Sequence, residues 1–325
     1  VHESSAGAAL DEVSAWDAAQ IWSNPGQGPP FIPQEDLPCS ARMKNSMQRA
    51  ALLGLAVTAT AIAADDGFDS AIVPVANPIY FESALVQSEV RPLFAYHRLD
   101  SGLLGVGADA QVYAVQLRYA INERLAFIAT RDGYTRIHLD NGTTLDGWND
   151  LAAGLKYAVI QDTANQFAVT PGFTVTVPTG NNEVFQGEGK GRADLFVSAI
   201  KGWDRFHLNS NIGGTVPFDA DANTSNLRFN AMVDYACHRW FTPFVSYNSF
   251  LTVSDGNAIG LRSEGFDVIN FGSSNASGRY QGAVGVGFRS HLTSTLDFGA
   301  SYEVGVADPA DIFKDRVTVD LVWKF

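Results

Sequence analysis

Ten ionisable residues sit at alternate positions inside segments that otherwise alternate apolar and polar. They are Arg118, Lys156, Asp194, His207, Arg228, Asp234, Arg289, Asp297, Glu303 and Arg316. If the segments are strands, the period of two places all ten on the polar face. Two kinds of chemistry follow. Opposed cations and anions across a water-filled lumen make a transverse field that sorts solutes by charge. The same side chains can instead pair and fill a narrow interior, because an unpaired buried charge is costly.

Catalytic chemistry finds less support. His97, His138, His207, His238 and His291 stand in no recognisable nucleophile motif, and there is no G-x-S-x-G elbow. The stretch Gly102 to Gly107 is glycine-rich, but no helical pattern follows it, so it reads as a turn rather than a phosphate loop. Cys237-His238 has no second ligand pair at metal-binding spacing. No enzyme activity, cofactor or metal is expected.

The elements that must position these residues are legible from composition and pattern. Charged residues make up 18% and the hydrophobic set 46%, with mean hydropathy −0.02. That is too apolar for a disordered chain and too evenly mixed for a bundle of membrane helices. The net charge of −13 argues against a nucleic-acid partner, since phosphate binding needs a basic surface. Cys39 and Cys237 are too few for a disulfide framework.

Residues 1–42 are polar and irregular and read as an upstream extension, non-native or disordered. Met43 then opens a basic stretch with Lys44 and Arg49, an apolar run from Ala50, and Ala61-Ile62-Ala63. This is the pattern of a secretory signal peptide over 43–63, with cleavage expected near Ala63. Residues 64–88 are expected to lie in the periplasm or in a lumen, ahead of a barrel over 89–325.

From residue 89 onward twelve segments alternate: 89–98, 110–120, 124–132, 148–160, 166–177, 192–202, 205–215, 226–236, 239–249, 279–290, 294–305 and 315–325. Most exceed the usual soluble strand and match the roughly 9–11 residues that cross a bilayer as tilted strand. Short links alternate with long ones, the long ones being 99–109, 133–147, 178–191, 216–225, 250–278 and 306–314. Transmembrane barrels show this asymmetry. Tyr119, Tyr157, Trp203, Phe206, Tyr235, Phe241 and Trp323 gather near the short links, as an interfacial girdle would. The chain closes on Val319, Leu321, Trp323 and Phe325 in alternation, the kind of terminal strand that the barrel assembly machinery reads by strand pairing.

One stretch carries a resemblance. Trp148-Asn149-Asp150-Leu151-Ala152-Ala153-Gly154-Leu155-Lys156-Tyr157 is similar to the "G-D-L-x-x-G-x-K-Y" strand of the outer-membrane transporters encoded in phenol-degradation operons. Pro178-Thr179-Gly180 resembles that group's "P-T-G" strand end. Asn149 departs from the pattern, where the group carries Gly. The resemblance covers 148–195 and implies a small-molecule channel or transporter, without supplying binding residues.

The fold expected is therefore all-β: a transmembrane, antiparallel, up-and-down barrel of about 12 strands in the bacterial outer membrane. The function expected is passive passage of a small solute through the lumen. A non-conducting structural or surface-interaction barrel is the rival. Inward charges would set selectivity, helped by a constriction in the longest loop from Phe266, Asp267, Ile269 and Phe271. Inward glycines such as Gly285 and Gly299 would leave volume or relieve crowding. Outer-membrane lipid and lipopolysaccharide, met by acidic loops, are the expected surroundings.

Overall fold

The computed structural model describes Phe68 and residues 70–101, 107–307 and 312–325. The upstream extension, the signal peptide and most of the Gly102–Gly107 stretch lie outside the described residues. Fifteen strand segments run in chain order. They are β1 Glu89–Leu99, β2 Ala108–Ala120, β3 Leu125–Arg131, β4 Tyr134–Leu139, β5 Thr144–Trp148, β6 Leu151–Tyr157, β7 Ile160–Asp162 and β8 Phe167–Val177. Then follow β9 Arg192–Trp203, β10 Phe206–Pro217, β11 Ser225–Tyr235, β12 Thr242–Ser254, β13 Tyr280–His291, β14 Leu296–Gly305 and β15 Phe313–Lys324.

They form twelve staves of one closed barrel. β3 and β4 make the third stave, and β5, β6 and β7 the fourth. All neighbours are antiparallel, and β1 bonds both β2 and β15. Closure satisfies the ladder groups that an open sheet would leave at its edges, which hydrocarbon cannot do.

Alternation in the strands has an inverted sense. Val115, Leu195, Ile212, Leu227, Phe229, Val245, Val286 and Leu321 are exposed, while Gln116, Ser198, Asn211, Asn230, Asn248, Gln281 and Thr318 are buried. An apolar exterior of this extent is stable only against lipid. Tyr119, Tyr157, Trp203, Phe206, Tyr235, Phe241 and Trp323 point outward at the end where the barrel starts and finishes.

The expected long link at 133–147 is corrected. Its residues are mostly β4 and β5, joined by a tight turn at 140–143. Short and long links therefore do not alternate strictly. The third stave bends at Asp132-Gly133, where the Val115 amide donates to the Asp132 carboxylate instead of a carbonyl, at 3.0 Å. Gly133 takes φ +97°, and a Cβ there would lie 2.1 Å from the Tyr113 carbonyl oxygen. Beyond this bend polarity reverses. Ile137 and Leu139 turn inward, while Arg136 and His138 face out. An extension that stands in water hides its apolar side from water, so its pattern is out of phase with the lipid-facing part. β12 also runs on to Ser254, which shortens the longest loop to 255–279.

Candidate functional site

The lumen holds a chain segment that is not part of the wall. Residues 70–88 rise from the terminal end, turn over near 77–81 and return to β1. Two prolines, Pro74 and Pro78, deny this segment a place in a ladder, so its carbonyls are met by wall side chains. Arg289 Nε donates to the Val73 carbonyl at 3.2 Å and Arg91 to that of Pro74 at 2.8 Å. The Gln116 amide donates to Pro78 at 2.8 Å, and Thr170 Oγ1 to Ala84 at 2.6 Å. Lys156 Nζ donates to the carbonyls of Ser83 and Leu85 at 2.9 and 2.7 Å. At the turn, Asn77 Nδ2 donates to Asn230 Oδ1 at 2.9 Å. Ile72, Val75, Ala76 and Phe81 form an apolar cluster with Met232 and Phe244. Gly285 lies beside this hairpin: a Cβ there would be in ordinary contact with the Ala76 Cβ at 3.6 Å and would crowd the wall side chains Ser246 and Glu303, at 2.5 and 3.0 Å.

All ten ionisable residues picked out by alternation are buried and face this interior. Most are brought into pairs. Arg118 and Lys156 flank Glu82 of the hairpin at 2.8 and 2.7 Å, with Glu89 3.5 Å from Arg118. Arg289 and Arg91 flank Asp320 at 2.9 and 2.7 Å. Arg316 bridges Glu303 at 2.9 Å and Asp267 at 2.7 Å. Arg228 meets Asp194 at 3.1 Å, and Asp297 takes His291 and Lys324 at 2.7 and 2.8 Å. His207 Nδ1 lies 2.7 Å from Asp234, and its Nε2 lies 3.3 Å from the Ser70 hydroxyl. That is the order hydroxyl, imidazole, carboxylate, but the hydroxyl belongs to the hairpin, so the trio latches the hairpin to the wall. Among the described residues no group of three or more His, Cys, Asp or Glu is placed to hold a metal.

Several members of these groups were not picked out by alternation. Arg91 and Asp320 are inward on β1 and β15 and their phase could have found them. Glu82 and Tyr80 lie in the irregular hairpin, where no period marks them. Arg131 ends β3 beside the bend, and Arg192 opens β9.

A lid closes the loop end. Within 255–279, the segment 264–271 folds into the barrel mouth, where Phe266, Asp267, Ile269 and Phe271 are all buried. Asp267 reaches Arg316 on β15, and Arg131 donates to the Asp267 and Val268 carbonyls at 2.6 and 2.9 Å. The Glu264 carboxylate accepts from the Phe271 and Ser273 amides at 2.6 and 2.8 Å. Burial pushes the Glu264 carboxyl above its ordinary value, and those amides only partly offset it. Phe266 holds a left-handed backbone, φ 61°, which an aromatic residue rarely adopts. Ring packing on Phe313, centroids 5.0 Å apart, and on Phe250 at 6.0 Å holds it there. Phe271 meets Phe185 edge to face at 5.0 Å. Tyr80 of the hairpin packs on the same cluster, so hairpin and lid meet.

An outer-membrane channel from Pseudomonas putida F1 superposes with TM-score 0.56 at 14% identity, covering 75% of this chain and 98% of that one. The fold is that of an outer-membrane β-barrel. The NanC porin aligns with TM-score 0.46 at 11% identity over 73% of this chain and all of its own. The CymD monoaromatic hydrocarbon channel aligns with TM-score 0.40 at 10% identity over 74% of this chain and 88% of its own. No family model matches the chain. No curated protein matches it either.

Proposed function

We propose that the protein is a channel of the bacterial outer membrane for passive passage of a small solute, closed in this state by its hairpin and lid. One observation carries the reading. What fills the lumen is a segment attached to the wall by one covalent connection, at Glu89, and otherwise by side-chain contacts, while the wall behind it is charged and polar as a water path requires. The outward Val319, Leu321 and Trp323, and the terminal Phe325, suit reading of the last strand by the assembly machinery.

The rival, a barrel filled permanently, draws on the apolar cluster of Ile72, Val75, Phe81, Met232 and Phe244. A reversible lock separates the two. The 3.6 Å separation noted at Gly285 is within disulfide range, so Ala76→Cys with Gly285→Cys, with Ser246→Ala to clear the 2.5 Å approach of its hydroxyl and Cys39 and Cys237 replaced by Ser, can pin the hairpin. In planar bilayers the oxidised form should be silent and reductant should restore conductance steps. Silence in both states, and in the unsubstituted protein, supports the permanently filled barrel.

A further inference from the structure

Three arginines converge where the hairpin turns beneath the lid. Arg228 of β11 lies over the Tyr80 ring, 3.7 Å from its centroid. Arg131 of β3 lies over the same ring at 5.7 Å and donates to its hydroxyl at 3.3 Å. Arg192 of β9 reaches the same neighbourhood: Arg131 and Gln186 share the Val268 carbonyl at 2.9 and 3.2 Å, Gln186 accepts from the Asp150 amide at 3.3 Å, and Asp150 is the carboxylate that faces Arg192. Arg131 and Arg192 are only 5% and 3% exposed.

Their neutralisation is incomplete. Among the described residues Arg131 meets no carboxylate; its bonds go to the lid carbonyls of Asp267 and Val268 and to Tyr80. Arg192 comes no closer than 3.9 Å to Asp150, and its Nε and second terminal nitrogen have no partner. Asp150 takes the amides of Gly180 and Gly187 on Oδ1, at 3.1 and 2.8 Å, and only its Oδ2 turns toward Arg192. Asp194 is committed to Arg228 and to the Thr215 hydroxyl. Arg192 is thus left with one long ion pair and two N–H groups without acceptors, and Arg131 with neutral oxygens alone. Buried guanidinium N–H groups without acceptors are rare and costly, and mark a place where an acceptor belongs.

We propose that Arg131, Arg192 and Arg228 form an anion subsite in the upper lumen, taking the carboxylate of a small monovalent organic anion, with Tyr80 and the lid carbonyls as its occupants in the closed state. The Nε–H and terminal N–H that Arg192 leaves without partners form the planar fork from which a carboxylate accepts two hydrogen bonds. The subsite rests on the channel reading for its role in transport, but its affinity can be measured without conduction.

The experiment has two readouts on the full-length protein. Sodium acetate is titrated against the arginine Nε–H resonances in detergent micelles, with Arg192→Gln assigning its own signal. Reversal potentials are then recorded in bilayers under gradients of KCl and of potassium acetate. We expect a saturable acetate shift at Arg192 and Arg131, and anion over cation permeability. Arg192→Gln should lose the shift and the anion preference, whereas Arg192→Lys should keep part of both. Arg131→Gln should act in the same direction if Arg192→Gln fails to fold. The unsubstituted protein decides by itself: a channel without saturable acetate shifts, or with cation preference, overturns the subsite and leaves the channel reading standing. Saturable shifts in a silent barrel support the subsite and overturn the channel.

Discussion

The lower and upper halves of the lumen are closed by different chemistry. In the lower half every cation that holds the hairpin sits directly on a carboxylate: Arg118 and Lys156 on Glu82 on one side, Arg91 and Arg289 on Asp320 on the other. In the upper half Arg131 is held by neutral oxygens and Arg192 barely at all. Removing the shared carboxylate from such a buried cluster strands both cations, so the lower half is an anchor. Replacing a neutral oxygen by an anion costs a cation nothing, so the upper half is where occupants can be exchanged. Stability and selectivity occupy different heights of one lumen.

Glu82→Gln should test the anchor most strongly. It strands Lys156 and leaves Arg118 only Glu89, which costs about 3–5 kcal/mol of hairpin docking. Hydrogen exchange over residues 70–88 should rise by orders of magnitude while the wall stays protected; unchanged exchange would remove the distinction between anchor and exchange zone. Tyr80→Ala should cost about 2 kcal/mol, the scale of a desolvated cation–π contact. Tyr80→Phe should cost about 0.5–1.5 kcal/mol, since only the hydroxyl is lost. Equal exchange in both variants would show that the ring plays no part. The smallest effect concerns the lid. A carboxyl whose folded value lies above its unfolded value is destabilising when ionised, so lid stability should rise as pH falls through that raised value. Exchange at Phe271 and Ser273, corrected for intrinsic rate, should slow on acidification, and Glu264→Gln should abolish that dependence.

The wall was readable because lipid imposes period two on every stave. Arg118, Lys156 and Glu303 each declare their face by the apolar neighbours on either side. β4 and β5 were not readable in the same way, because above the lipid the outward side is the polar one and the phase of Ile137 and Leu139 turns over. The hairpin was legible only as a segment ahead of the barrel. Its position depends on contacts far apart in sequence, such as Asn77 with Asn230 and Glu82 with Arg118, and no local pattern encodes those. Of the subsite arginines Arg228 declares itself by alternation, whereas Arg131 lies at a bend out of phase with β3, and Arg192, though in phase with Asp194, is the first residue of its strand with no apolar neighbour ahead of it to mark its face.

The hairpin's covalent connection to β1 has a consequence for concentration. A tethered occupant competes at a fixed effective concentration, on the order of millimolar for a short linker, however dilute the protein. A solute that needs the Tyr80 position must outbid that internal rival, so its apparent affinity is weakened by the fraction of time the site is filled. Lengthening the connection just ahead of Glu89 would dilute the rival and lower the threshold at which flux begins, without altering a single contact in the lumen.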